Sequence, residues 1–384
     1  MYGTQHGGDA MKRVSFAVFT LIFVLAAGAA AHADGSRSPW VFDVDLRLWG
    51  LDLGVGYRGF PLLQGVDTTF WGVAGGAYEK MSYYRQTEAI IIGKYPGPAD
   101  DLVFYRADAK WWLGVAQGLL WNERIDENRL EALLFYRGRF DENLIETGDL
   151  IDASDLPDES GLFQNTLFAG LAYNDILVDK KHKTKSGISG EVSAEWGPAF
   201  LANTVYGSSD FVRFNATARG FFPLYDAAPD RPGNLFSMYL GEFFSADYAI
   251  GLGGTAVPYV IRRTFGGKEP RTGLGYAVRG VDSGSLDTNL KLVNNFELRM
   301  NLPAIVLPDI VPGALVHWDV GYFSQVGESI ASPQSGFVST VGAGVFVNLF
   351  DLATLAAYIH YRLDGVNADG SALVPFDLQF GLHF

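Results

Sequence analysis

The chain has 384 residues, of which 48% are hydrophobic and 14% aromatic, with 46 glycines, no cysteine and a formal net charge of −14. Such an acidic chain offers no basic footprint to a nucleic-acid backbone, its apolar content excludes disorder, and the missing cysteines exclude a disulfide scaffold, a zinc–thiolate site and a cysteine nucleophile. A mean hydropathy of +0.10 invites a helical membrane protein, but a spanning helix needs about 20 consecutive apolar residues, and only the N-terminal stretch comes close.

That stretch reads as an export signal. Met11, Lys12 and Arg13 form a short basic start, Val14 to Ala30 is almost wholly apolar, and Ala31, His32 and Ala33 make a small-x-small cleavage site before Asp34. Residues 1–10 precede a signal that is already complete from Met11. Cleavage would remove residues 1–33, with Asp9, Lys12 and Arg13, leaving 351 residues (34–384) and a formal charge of −15. Freedom from cysteine suits an oxidising periplasm.

The remainder alternates apolar and polar residues with period two, the pattern of half-buried strands. In chain order the runs are Val41–Leu48, Leu51–Phe60, Phe70–Tyr84, Leu102–Leu119, Leu130–Phe140, Phe163–Ile176, Ile188–Phe200, Phe211–Phe222, Leu235–Leu252, Leu290–Met300, Ala314–Phe323, Phe337–Leu349, Leu355–Leu363 and a terminal strand. In that last strand Phe376, Leu378, Phe380, Leu382 and Phe384 share one face, with Gly381 between them. Thirteen runs are counted as secure. A barrel with both termini in the periplasm has an even number of strands, so about 14 are expected, 12 to 16 being accommodated, with Glu88–Tyr95 as the extra candidate.

A soluble sheet would bury one face in a dry core, whereas a membrane barrel turns its apolar face to lipid and must close on itself, since lipid pairs no backbone group. Tryptophan and tyrosine near strand ends (Trp40, Trp49, Trp71, Tyr83, Tyr84, Tyr105, Trp111, Trp112, Trp121, Tyr136, Tyr358 and Tyr361) suit interfacial girdles and favour the barrel. Connections alternate accordingly. Those at 141–161, 203–210, 255–287, 326–336 and 364–371 are expected outside, and those at 179–186, 225–234, 302–312 and 350–351 inside. The first is strongly acidic from Asp141 to Glu159, and Lys180, Lys181, Lys183 and Lys185 make a basic inner turn.

The long outer connection carries the most specific motif, FGGKEPRTGLGYAVRGV at 265–281, followed by NNFELRMNLP at 294–303 and HWDVG at 317–321. With the terminal FGLHF, these resemble the BamA/TamA-like outer-membrane superfamily of the bacterial surface-antigen type. Upstream, LFAGLAYND at 167–175, KSGISGE at 185–191 and FVRFNATARGFFPL at 211–224 resemble further stations of that barrel in the same order, so the likeness spans about Gly161 to Phe384. The resemblance implies an all-β, transmembrane antiparallel barrel in the bacterial outer membrane with an extracellular loop folded into its lumen. It also implies that Val278, Arg279 and Gly280 form the loop motif, and that Arg279 pairs with Glu297 and Asp319 on the two following strands. The residues support that independently: a guanidinium fork brought into a lumen needs carboxylates, because desolvating it alone is costly.

Val281 departs from the family, standing where an aromatic is usual. The short span between cleavage site and first strand leads us to expect a member without POTRA domains, and the missing G-x-S-x-G excludes a patatin-like domain. Other chemistry is thin. Gly54–Gly59 matches G-x-G-x-x-G but no helix follows, the histidines are scattered without metal-ligand spacing, and His317 or His360 with Ser324 is a weak hydrolase candidate. No cofactor, metal or catalytic residue is expected. The resemblance implies insertion, translocation or lipid transfer at the outer membrane, the alternatives being a passive pore or structural barrel and, behind them, a lipid enzyme. Expected partners are outer-membrane lipid and lipopolysaccharide, the barrel-assembly machinery for its own insertion, and a periplasmic partner or a homodimer.

Overall fold

A computed structural model describes residues 38–47, 50–82, 103–144, 161–179, 184–227, 236–262, 278–281, 288–305, 307, 309–324, 335–349, 353–365 and 371–382. They form β1 (Trp40–Arg47), β2 (Gly50–Tyr57), β3 (Thr68–Ser82), β4 (Val103–Asn122), β5 (Glu127–Leu144), β6 (Gly161–Asn174), β7 (Leu177–Asp179), β8 (Thr184–Gly197), β9 (Phe211–Ala227) and β10 (Phe236–Gly251). A four-residue helix α1 (Tyr259–Arg262) follows, then β11 (Leu290–Asn301), β12 (Ile310–Ser324), β13 (Ser335–Leu349), β14 (Ala353–Arg362) and β15 (Leu373–Leu382). No helix among the described residues is long and apolar enough to cross a membrane.

Every strand pairs antiparallel with its chain neighbour, in one sheet running from β1 to β15, except that the three-residue β7 lies off this path against β8. Fourteen strands therefore make up the barrel path. They correspond to the alternating runs together with the terminal strand, and no strand at Glu88–Tyr95 is needed, a segment outside the described residues. The export signal at 1–33 and Phe384 also lie outside them. β1 and β15 approach each other, yet among the described residues no ladder joins them.

Period-two alternation gives the sheet two unlike faces. In β10 the odd positions Tyr239, Phe243, Ser245, Asp247 and Ala249 are buried, while Phe244 and Ile250 on the even face are exposed. The inward face carries most of the charge, and the outward face carries exposed Leu113, Leu134, Leu167, Val192, Phe214 and Val345. Outward aromatics cluster towards the strand ends, as in the stacked pair Tyr78–Tyr105 at one end and Trp40–Tyr57 at the other. Three residues expected in the girdles sit elsewhere. Trp112 and Tyr358 are buried on the inward face, and Trp71 packs against an inward cluster of Ala116, Leu133, Phe135 and Phe168. Consecutive strand residues point to opposite faces, so of Trp111 and Trp112 only one can meet lipid. The inward one is covered by the Arg137 guanidinium, 4.7 Å from its ring centre.

The acidic segment from Asp141 is likewise not all loop. β5 continues to Leu144, where Asp141 accepts hydrogen bonds from Arg139 at 2.5 and 2.7 Å and Glu142 accepts from the Tyr206 hydroxyl at 2.8 Å. Residues 145–160 lie outside the described residues.

Leu134 stands outward at the centre of β5, 58% exposed. Leu134→Arg is expected to cost about 2–4 kcal/mol of folding free energy in lipid vesicles. A loss within about 0.5 kcal/mol, usual for a water-exposed site, would show that this face is wet.

Candidate functional site: the Arg279 cluster

The site lies on the inward faces of β11 and β12, where the register sets Glu297 opposite His317, and Asn295 opposite Asp319. Glu297 and Asp319 thus stand on the same face of adjacent strands, diagonally placed. Arg279 meets both. Its Nε and Nη2 donate to the two carboxylate oxygens of Asp319 at 2.8 and 2.6 Å, its backbone N–H donates to the same carboxylate at 3.0 Å, and its Nη1 donates to Glu297. Glu297 also accepts from Arg299 Nε at 2.6 Å. A planar fork with donors on two edges can hold two carboxylates at once, which a lysine cannot. Burial opposes the charge on Arg279, but the hydrogen bonds to Asp319 and the nearby Glu297 carboxylate outweigh it and hold its pKa above the ordinary guanidinium value.

Local backbone chemistry delivers the arginine. Gly280 has φ +77°, and a Cβ built there would lie 2.5 Å from the Cβ of His360, so both the left-handed turn and the closeness of β14 require glycine. Val278 and Val281 on either side are buried with Val293, Phe323 and Val338. Val281 is thus accommodated in an apolar pocket of valines and Phe323.

Sequence reasoning left the histidines scattered, and the structure corrects this. His317 Nε2 and His360 Nδ1 are 2.9 Å apart in a buried contact, and His317 Nδ1 is 3.5 Å from Asp319 Oδ1. The two rings sit on β12 and β14, separated by β13. Gly342 is the residue of β13 in register with both, and a Cβ there would come within 2.2 Å of His317 Nε2. The missing side chain is the gap through which the imidazoles meet. An inward glycine flanked in register by two histidines is the signal that would have found them, but it exists only once the strands are paired. No group of three or more metal-ligating residues occurs among the described residues.

A second ionic network lies on β9, β10 and β11. Arg213 Nε donates to Asp247 at 2.5 Å, Asn215 donates to the same carboxylate at 3.1 Å, and Lys291 Nζ donates to Asp247 at 3.2 Å and to the Ile261 carbonyl at 2.7 Å. The Lys291 bond fastens α1, at the start of the long connection, to the inward face. At its other end the Thr288 hydroxyl donates to the Ser324 carbonyl at 2.5 Å.

The remaining residues singled out by sequence stay apart from this cluster. Phe376, Phe380 and Gly381 lie in β15. Among the described residues no hydrogen bond joins the Ser324 hydroxyl to either histidine. Gly54 and Gly56 of the G-x-G-x-x-G match sit in β2 beside Val73 and Trp71, with no helix after them. Lys185 lies over the Phe221 ring at 5.5 Å, while 180–183 are outside the described residues.

A continuous run of antiparallel strands whose two ends approach each other, with an apolar outside and charged pairs inside, defines a β-barrel of the outer-membrane type. Solved structures with this fold include BamA from Haemophilus ducreyi lacking POTRA domains 1–3, at 11% identity and a TM-score of 0.53, covering 90% of this chain and 64% of that one. CdiB from Acinetobacter baumannii aligns at 14% identity and a TM-score of 0.48, over 87% of this chain and 50% of that one. The likeness to BamA shows a common barrel fold, and this chain spans less than two thirds of the BamA chain. No family model and no curated protein matches the sequence.

Removing one member of a buried ion pair strands the other charge, at a cost of about 3–5 kcal/mol. Arg279→Ala and Asp319→Ala are each expected to lower unfolding free energy by about 3 kcal/mol, with the double variant losing far less than the sum; additive losses would show that the two are uncoupled. Gly280→Val is expected to cost about 1–3 kcal/mol through strain at its positive φ. Denaturant titration in lipid vesicles reads all four.

Proposed function

We propose that this chain is a bacterial outer-membrane barrel that inserts, translocates or transfers a membrane client, either a protein strand or a lipid, through the junction of β1 and β15. The observation that carries this reading is the absence of a ladder between those strands among the described residues, in a sheet otherwise fully paired from β1 to β15. Unpaired N–H and C=O groups facing hydrocarbon cost several kcal/mol each. Such an edge is a template on which an incoming strand can pair, and it is a place where the adjoining bilayer is perturbed. No covalent step is required, and none of the chemistry around Arg279 supplies one.

In this reading residues 1–33 direct export, residues 34–384 form the barrel domain, and the end bearing the 252–289 connection faces outward. Within it Val278, Arg279 and Gly280 dock on Glu297 and Asp319 and brace the half of the barrel next to β15. Membrane lipid and lipopolysaccharide surround it. Phe376, Phe380, Gly381 and Phe384 form the terminal strand signal through which the barrel-assembly machinery inserts the protein itself. A wide passive pore is disfavoured by the buried inward charges, since Asp319, Asp247, Lys291 and Arg213 are at most 2% exposed and are paired rather than lining open water.

Vesicles containing the protein should speed the folding of a second outer-membrane barrel, or the flipping of a labelled phospholipid, relative to empty vesicles. Cysteine pairs with one member in Trp40–Arg47 and one in Leu373–Leu382 should abolish that gain once oxidised and restore it on reduction. Unchanged rates with and without the protein, together with a large steady conductance that survives Arg279→Ala, would replace this reading with a pore.

A further inference from the structure

Glu242 sits on the wrong side of the wall. It lies on the even, outward face of β10 with Phe244 and Ile250, opposite Gly220 of β9 and Phe296 of β11. It is six residues from Tyr248 and six from Phe236, whose ring packs on Tyr225 at the short-connection end. At about 3.3 Å per residue and a tilt of about 45°, that places it roughly 14 Å from each rim, near the midplane of an apolar band about 25 Å tall. Among the described residues it makes no hydrogen bond or ion pair. Asn294 on β11 shares this outward face, one register step along opposite Phe244, and its side chain is also without a partner among the described residues. Ionisable groups in hydrocarbon are costly and stand where something meets them.

The surrounding surface fits a close approach. Outward positions nearby are Gly190 on β8, Ala216, Ala218 and Gly220 on β9, and Ala246 on β10, whereas Phe244 projects between them, 40% exposed. We propose that the β8–β11 wall is the interface of a twofold dimer of this chain within the membrane. In it the Glu242 carboxyl of each copy accepts from the Asn294 amide of the other, and each Phe244 ring seats on the other copy's small-residue patch. A second copy is favoured over a different partner because acid and amide lie side by side on the same patch. A twofold contact satisfies both at once, whereas a basic side chain from another protein would satisfy Glu242 and leave Asn294 bare.

The absence of native cysteine makes the test direct. Ala218→Cys, and independently Ala246→Cys, treated with a short bismaleimide in bacterial outer membranes, should give a band of twice the monomer mass. Leu113→Cys, outward on β4 and 60% exposed, should give none. Glu242→Leu should reduce the dimer yield of Ala218→Cys about tenfold and Glu242→Gln should retain it, with heat-modifiable gel mobility showing that each barrel is folded. Folded barrels that give no dimer, a dimer yield unchanged by Glu242→Leu, or cross-linking only to a protein of another mass would each overturn the proposal.

Discussion

Everything in this structure follows from the lack of a hydrogen-bonding solvent inside a bilayer. A strand buried in lipid must give its N–H and C=O groups to neighbouring strands, and a sheet that does so throughout has to curl until its ends meet. From β1 to β15 each strand is paired on the barrel path, and the outward face is left to carbon. Among the described strands no ladder joins β1 to β15, and the proposed passage of a client is placed at that junction.

The same constraint moves polar chemistry inward. Charged side chains excluded from the lipid face collect on the opposite one, where they must neutralise each other. The networks of Arg279 with Glu297 and Asp319, of Arg213 and Lys291 with Asp247, and of Arg137 with Glu195 are the outcome. A buried pair contributes little net stability against an apolar substitute, but losing one member is costly, so such networks specify arrangement more than they add strength. The Arg279 cluster specifies where residues 278–281 rest, against β11, β12 and β14. Glycine has two distinct tasks there: Gly280 supplies the turn and Gly342 the opening between histidines.

A fold shared with BamA at 11% identity illustrates how loosely a barrel holds its sequence. Outward positions need only be apolar and inward ones only mutually compatible, so most residues drift freely. Exceptions to the outward rule, Glu242 above all, are then informative, because nothing in barrel architecture demands them.

The strand runs and the two-faced pattern were legible in the sequence because period-two alternation is a local feature, and the grouping of Arg279 with Glu297 and Asp319 was what the resemblance of the ordered motifs implied. The strand number was legible once the terminal strand was counted. That Trp111 and Trp112 could not both face lipid was written there too, in their parity, although their composition alone suggested girdles. The contact of His317 with His360, the tether from Lys291 to Ile261 and the placement of Asn294 beside Glu242 were decided only by tertiary structure. Each depends on register, and register places residues from strands distant in sequence side by side through ladder geometry that no single strand encodes.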